Sequence, residues 1–298
     1  MVGRLQGVEN QLFGNPLPQG WALMPYPEKE SWLARVPERG QNLKQFLTSQ
    51  FRNPVVSSRR VLYLREIDWP YLRCQVARLV SEDELAYMDQ VQSMMSSLSQ
   101  FALCMRAFLR METFQLLPLQ VDLDLVTTRK SGNRLQFRTS DLQKLLVESG
   151  DSVPGDDCYA LIGICALDLY ANDHNAGLLG EATLDERVAL CSMYRVYLNS
   201  ELSLERMHRN AYSLVIHETL HMGMRHCIHF LCVLNGGFPH PLILCPPCLQ
   251  KLHHHLPMSP AEHITRYRDL LEFWGSVCPN EGPLQFIEKR LSTLERHI

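Results

Sequence analysis

Two histidines and a glutamate have the spacing of a zinc-binding helix. They form the run His217-Glu218-Thr219-Leu220-His221. Side chains four residues apart project from the same face of a helix, so both imidazoles can bind one zinc ion. Glu218 is then placed to act as the general base on a zinc-bound water. The pattern predicts a zinc hydrolase site; the alternative interpretation is a helix with a solvated His-Glu-His face.

The residues after this motif offer a third ligand. Gly223 is predicted to end the helix in a left-handed cap, which turns the chain back toward the metal. His226 then supplies the third nitrogen and leaves the fourth position of a tetrahedral zinc for water. His229 is the less favoured substitute. The triplet His253 to His255 is predicted to be a solvated surface run, because three consecutive side chains diverge on a helix.

Four cysteines follow His226 in two pairs. They are Cys227, Cys232, Cys245 and Cys248, the last two within the run CPPC. Four thiolates satisfy a tetrahedral zinc and leave no open position, which is typical of a structural site. The alternatives are a redox CPPC motif or plain core packing. Of the 12 histidines and 10 cysteines in the chain, 14 lie between His208 and His263.

Composition excludes several classes of protein. The 298 residues are 46% apolar and 20% charged with a net charge of −3, which does not fit disorder, a nucleic-acid-binding surface or a polybasic membrane patch. Residues 226–250 carry no charge but contain several prolines and glycines, so a membrane-spanning helix is not expected. The first twenty residues lack the apolar core of a secretory signal. We therefore expect a reducing compartment, the cytoplasm or alternatively the nucleus.

The elements that must position these residues are predicted from hydrophobic periodicity. Strands are expected at 59–67, 119–127, 136–138, 159–167 and 188–197. Helices are expected after Ser81 and Thr139, over about 201–222, from Ser259 and over 284–296. Strands alternating with helices predict a mixed α/β (α+β) fold with a mixed sheet and one long helix carrying the histidine motif.

Together these residues resemble the archaemetzincins, a metzincin-like family of zinc metallopeptidases. The run HETLHMGMRHC, a second cysteine after four further residues and the later CPPCLQKL are similar to the family pattern HExxHxxGxxHC-x4-C and CxxC, with one residue fewer before the third histidine. The segments SWLARVPERGQNLKQF, RRVLYLREID, GDDCYALIGICALDLY, LDERVALCSMYRVY and ITRYRDLL are also similar, so the resemblance covers about residues 32–274. It implies a zincin-like single domain with an active-site helix and a C-terminal zinc-binding, helical subdomain.

The resemblance also implies a division of the chain and of its roles. Residues 1–57 are expected to be an N-terminal extension and 58–298 the catalytic domain, with the catalytic helix over about 201–222, the cysteine segment at 227–248 and C-terminal helices at 259–298. One zinc ion is held by His217, His221 and His226 with Glu218 as the catalytic base. A second is held by Cys227, Cys232, Cys245 and Cys248.

Three departures from the family pattern concern the metal-binding window. Four residues separate His221 from His226, whereas the family has five, so the third ligand arrives one residue early. Leu234 replaces the family's methionine and keeps the site's floor apolar. The loop at 233–244 is shorter than usual.

The expected function is zinc-dependent hydrolysis of peptides, by an aminopeptidase or short-peptide hydrolase, with a peptide or protein substrate. No nucleic-acid or membrane partner is expected, and the oligomeric state is left open. The alternative is a catalytically weak or inactive zinc-stabilised binding protein of the same fold. A zinc-ribbon nucleic-acid binder is disfavoured because no lysine or arginine lies between Arg225 and Lys251.

Overall fold

The computed structural model describes residues 23–24, 32–148, 156–172, 175–183, 186–198, 201–256, 258–279 and 283–296. The residues predicted to lack a secretory signal, 1–20, lie outside this part. The chain divides into two compact units. The sheet unit is Val56–Leu103 with Met111–Thr219, and the helical unit is Met1–Val55, Cys104–Arg110 and Leu220–Ile298. The predicted boundary at residue 57 stays a prediction.

The sheet unit contains every strand of the described residues. The strands are β1 Val61–Glu66, β2 Glu112–Gln115, β3 Thr128–Ser131, β4 Arg134–Arg138, β5 Cys158–Cys165, β6 Asp168–Asn172, β7 Asn175–Leu178, β8 Gly180–Thr183 and β9 Val188–Ser192. Its helices are α3 Trp69–Val76, α4 Glu82–Met94 and α6 Thr139–Glu148. Two helices are shared with the other unit: α5 Leu98–Leu109 and α7 Leu204–His221.

The larger sheet has the order β2-β1-β5-β9-β8. Neighbouring strands are parallel except for β8, which runs antiparallel to β9 at the edge. Central strand β5 is an unbroken apolar run, and its residues after Cys158 are all buried. Such a run is expected of a parallel strand covered on both faces. The core of this unit is built from apolar side chains of these strands and of α3, α4 and α6.

A second, smaller sheet has the order β3-β4-β6-β7. Asp168, the first residue of β6, is fully buried and is held by a two-bond ion pair with Arg195, at 2.7 and 3.1 Å. The Gln136 side chain also donates to this carboxylate, at 3.0 Å. These three donated hydrogen bonds are what makes a charge tolerable in the interior.

The helical unit contains short helices α1 Trp32–Arg35 and α2 Leu43–Leu47 near its start. After α7 it continues with α8 Pro246–His255, α9 Pro260–Val277 and α10 Pro283–Glu295. Helix α9 begins with a capping box between Ser259 and Glu262, with proline at its first position, as predicted. None of the helices among the described residues is long and apolar enough to cross a membrane.

The predicted mixed α/β class is confirmed, as are the strands at 59–67, 136–138 and 159–167. The strand predicted at 119–127 is wrong. Its centre is a 3₁₀ turn, Leu123–Leu125. The reason is local side-chain competition: the Gln75 amide oxygen accepts from the Leu123 amide at 2.8 Å, and Asp122 accepts from the Tyr71 hydroxyl at 2.7 Å. These side-chain hydrogen bonds stand where the alternation of apolar and polar residues predicts backbone hydrogen bonds to a neighbouring strand.

The strand predicted at 188–197 is shorter than expected, because β9 ends at Ser192. The Ser192 hydroxyl donates to the Leu167 carbonyl at 2.6 Å, and the Met193 amide donates to Cys165. Residues 194–196 then form turns. Strand β9 therefore ends where its partner β5 ends, since Ser192 pairs with Cys165, the last residue of β5.

The buried ion pair leads to a stability prediction. Replacing Arg195 by methionine leaves the Asp168 carboxylate buried and without its cation, which is expected to cost about 3–5 kcal/mol of the free energy of unfolding. The matched control is Arg268→Met, whose partner Glu295 is exposed and whose loss should cost about 0–1 kcal/mol. Urea unfolding of both variants checks this. An equal loss of the free energy of unfolding in the two variants would contradict the role given to the buried Asp168–Arg195 ion pair.

Candidate metal centre

Helix α7 presents the histidine motif from a fixed platform. Ser203 caps its start by accepting from the Arg206 amide. The Tyr212 hydroxyl donates to Ser96 at 2.8 Å, and His208 contacts the Met94 carbonyl at 2.8 Å. Residues 210–220 are all buried. A helix held in this way fixes the direction in which its last turn projects.

Three predicted ligands converge at the end of α7. The nitrogens of His217, His221 and His226 all lie within 4.8 Å of one another. The rings of His221 and His226 meet edge to face, with centroids 4.2 Å apart. Nitrogens around a tetrahedral zinc lie about 3.4 Å apart, given Zn–N bonds of about 2.1 Å, so small ring rotations would close the set. Three imidazoles with a position left open fit zinc.

The protonation state of His221 also fits that of a metal ligand. Burial and the neighbouring His226 and His240 lower the pKa of His221 well below its usual value. Burial, together with His226, lowers the pKa of His240 to about 3. A neutral imidazole has the free lone pair that metal binding requires.

The turn between His221 and His226 is not built as predicted. Gly223 does not adopt the left-handed conformation expected of a helix cap. A β-carbon there would lie 2.4 Å from the Arg52 carbonyl oxygen and 2.8 Å from the His255 ring. Glycine is therefore required by the close approach of two other segments. The chain still brings His226 to the other two histidines, and His229 lies exposed outside the cluster.

Glu218 lies buried beside the first ligand. Burial, together with the nearby Glu181, raises the pKa of the Glu218 carboxyl group to about 8 in the metal-free chain. A β-carbon on Gly180 would lie 2.6 Å from Glu218 Oε1, so strand β8 passes directly over this carboxyl group. Since side chains alternate along a strand, Glu181 points to the other face, where the Thr139 hydroxyl donates to it. A buried carboxyl group with a pKa near neutrality is suited to acid–base catalysis.

The four cysteines form a second buried cluster. Their sulfurs lie within 4.8 Å of one another, with Cys227 and Cys245 3.6 Å apart. Sulfurs around a tetrahedral zinc lie about 3.8 Å apart, given Zn–S bonds of about 2.3 Å, whereas a disulfide needs about 2.05 Å. Hydrogen bonds from Cys232, Cys245 and Cys248 lower the pKa of the Cys227 thiol. Helix α8 begins after Cys245, so its positive end also favours thiolates.

No family model matches the chain. Human archaemetzincin-2 is 23% identical over 81% of the chain and 71% of its own length. Mouse archaemetzincin-2 is 22% identical over 85% and 75%. The crystal structure of archaemetzincin from Methanopyrus kandleri has a TM-score of 0.48 and 19% identity, covering 68% of this chain and 98% of that one.

The chain is a homologue of the archaemetzincins. It is thereby related to a family of zinc metallopeptidases, as the motifs predicted. The two ligand sets that carry the archaemetzincin pattern are also the two groups, among the described residues, that could hold a metal ion. Zinc is the metal that both the family relationship and the donor types favour.

Sequence reasoning missed two residues that contact the candidate ligands. Glu38 contacts His226 Nδ1 through both carboxylate oxygens, each at 2.8 Å. The Asn235 amide donates to the carbonyls of Cys227, at 2.6 Å, and Phe230, at 2.8 Å, and its oxygen accepts from the Cys232 amide. Glu38 is 188 residues from its partner, so no local spacing could reveal it. Asn235 lies within the cysteine window and could have been recognised as a loop-forming amide.

The histidine triplet on α8 differs from its prediction. His255 is buried and packs against Phe46, with ring centroids 6.2 Å apart. His253 contacts the buried His263 at 3.1 Å, and only His254 is exposed. The expectation of a solvated run is therefore wrong for two of the three side chains. Helix α8 has its own buried face, and the triplet spans both of its sides.

The cysteine cluster generates a metal-binding prediction. A zinc ion held by the four cysteines would lose one of its four thiolates in Cys248→Ser, so we expect this variant to contain about one zinc ion fewer per chain. Segment 227–256 should then become sensitive to proteolysis, because the ion cross-links it. Metal analysis and limited proteolysis check this. Cys74→Ser is the matched control, since Cys74 is exposed and outside the cluster; an equal zinc content in both variants would contradict the prediction.

Proposed function

We propose that this chain is a zinc-dependent peptide hydrolase. His217, His221 and His226 hold the zinc, and Glu218 is the general base. The observation that carries the proposal is the convergence of three imidazole nitrogens within 4.8 Å, at the end of a helix that also carries a buried glutamate. Three ligands leave one tetrahedral position for a reactant, which distinguishes a catalytic from a structural zinc site.

The reaction assigned to this arrangement is hydrolysis of a peptide bond. A bound zinc ion polarises the substrate carbonyl and lowers the pKa of water. Glu218 accepts the proton of the attacking water at its carboxylate and delivers it to the nitrogen of the leaving amine. A dication nearby would favour the ionised carboxylate, the form in which Glu218 can accept a proton.

Strand β8 is the element proposed to hold the substrate. It is the antiparallel edge strand of the larger sheet, and it passes beside Glu218. An extended peptide can add to such an edge through backbone hydrogen bonds. Gly180 has no side chain, which leaves room for the Glu218 carboxyl group. Together with the archaemetzincin relationship, this supports short peptides and aminopeptidase action as the activity to test first.

The second ion of the proposal is structural and bound by the four cysteines, giving two zinc ions per chain. A set of four thiolates has no open position. The alternative function, an inactive zinc-stabilised binding protein, requires that the histidine site has lost its geometry. The position of His226 inside the cluster, in spite of the short spacing from His221, supports the enzyme instead.

The proposal predicts the effect of removing the base. Glu218→Gln should lower peptide hydrolysis by about 10²–10⁴-fold, because general acid–base catalysis contributes that much. Zinc content should stay unchanged, because Glu218 is not a ligand in this assignment. A library of short peptides with free and acetylated N-termini, with mass spectrometry of the products, measures both the rate and the exopeptidase mode.

The matched control is Glu272→Gln, because Glu272 is exposed on α9. If the wild type hydrolyses peptides and Glu218→Gln does so at the same rate, Glu218 is not the general base. A wild-type chain that binds zinc through His217 but cleaves no peptide would favour the binding-protein alternative.

Gly180 provides a second prediction. Gly180→Ala places a methyl group 2.6 Å from Glu218 Oε1, so the carboxyl group must move. We expect hydrolysis to fall at least about tenfold, since small misplacements of catalytic groups are costly. Gly275→Ala is the control, because no atom lies within 4 Å of the new methyl group. It should leave the activity intact and stabilise α9 by about 0.5–1 kcal/mol.

A further inference from the structure

The third histidine has a carboxylate partner in the N-terminal segment. The two oxygens of Glu38 each lie 2.8 Å from His226 Nδ1. Both side chains are 27% exposed, so the contact lies at the edge of the interior. A carboxylate accepts only, so Nδ1 carries the hydrogen in this contact. The lone pair is then on Nε2, the other nitrogen of the ring.

The chain around Glu38 is held against the loop that follows α7. The Gln41 side-chain oxygen accepts from the Arg225 amide at 3.3 Å. The Trp32 ring lies 5.2 Å from the His226 ring, and its indole packs so closely on Gly236 that a β-carbon there would be 2.6 Å away. Residues 32–41 are therefore an element packed on the histidine and cysteine window.

Further contacts join the N-terminal segment to residues 229 and 230. Leu23 forms a bridge with Phe230, and the Met24 amide donates to the His229 carbonyl at 3.0 Å. A β-carbon on Gly40 would lie 2.9 Å from the His229 ring. Glu38 is thus set by contacts on both sides of it.

His226 needs such a partner more than the other two histidines do. His217 and His221 lie on α7, whose backbone fixes their directions, whereas His226 lies in irregular chain beyond the helix end. Its ring could rotate unless something binds its second nitrogen. A carboxylate bound to the remote nitrogen of a metal-binding histidine fixes the tautomer and the ring orientation, and it raises the basicity of the ligand.

We propose that Glu38 is a positioning residue for the histidine metal site. It orients His226 so that Nε2 faces His217 and His221, and it compensates for the irregular, shortened turn that carries His226. This inference rests on the proposed zinc site. Residues 32–41 would then contribute to metal binding as well as to packing.

Zinc affinity of the full-length chain tests the proposal. Chelator competition is measured for the wild type, Glu38→Gln, Glu38→Asp and Gln41→Ala, with the cysteine-bound ion as internal reference. We expect Glu38→Gln to weaken zinc at the histidine site by about 10–100-fold, the usual loss when such a partner is removed. Glu38→Asp should bind zinc more tightly than Glu38→Gln, because it keeps the carboxylate.

Gln41→Ala separates orientation from packing, because it loosens the same segment without touching the His226 ring. It should change the zinc affinity much less than Glu38→Gln. Equal affinities for the wild type and Glu38→Gln, or an equal loss in Gln41→Ala, would overturn the role of Glu38. His217→Ala identifies the site: if it leaves the wild-type zinc content unchanged, the proposed function fails, and this inference fails with it.

Discussion

The arrangement of the metal-binding window depends on one covalent constraint, the peptide bond between His226 and Cys227. It joins the last residue of the histidine cluster to the first residue of the cysteine cluster. The Cys227 amide donates to the Leu234 carbonyl at 2.8 Å, and its carbonyl accepts from Asn235. The position of Cys227 is therefore fixed by its own loop, and His226 can lie only where the end of α7 and Cys227 both allow it.

Burial sets the protonation of the groups at the histidine cluster. Glu218 is uncharged over a wider pH range than an exposed glutamate, and His221 is kept neutral. Both shifts arise chiefly from desolvation, which penalises the charged forms. A dication here would interact strongly with the buried Glu218 and His217, because little water surrounds them to screen its charge. A neutral imidazole beside a buried carboxyl group therefore suits a bound cation.

How much of the fold and of the candidate site could be predicted from the sequence depends on how far apart in the chain the interacting residues lie. The convergence of the three histidines and of the four cysteines, and the cap at Ser259, were predicted because each depends on residues close together in the sequence. The strand at 119–127 failed because Gln75, on α3, takes the hydrogen bond of Leu123. Gly223 was predicted for its backbone freedom but is required by the Arg52 carbonyl. Glu38 has no local signal at all, since only the fold brings it to His226.

The short spacing after His221 limits the freedom of His226. Only four residues, Met222 to Arg225, join the end of α7 to His226, and Cys227 follows it directly in the chain. A fifth residue would let the turn follow a wider range of paths. Since Glu38 and the cysteine loop constrain His226 from its ring and from its backbone respectively, the shortened turn is held in place from two independent directions.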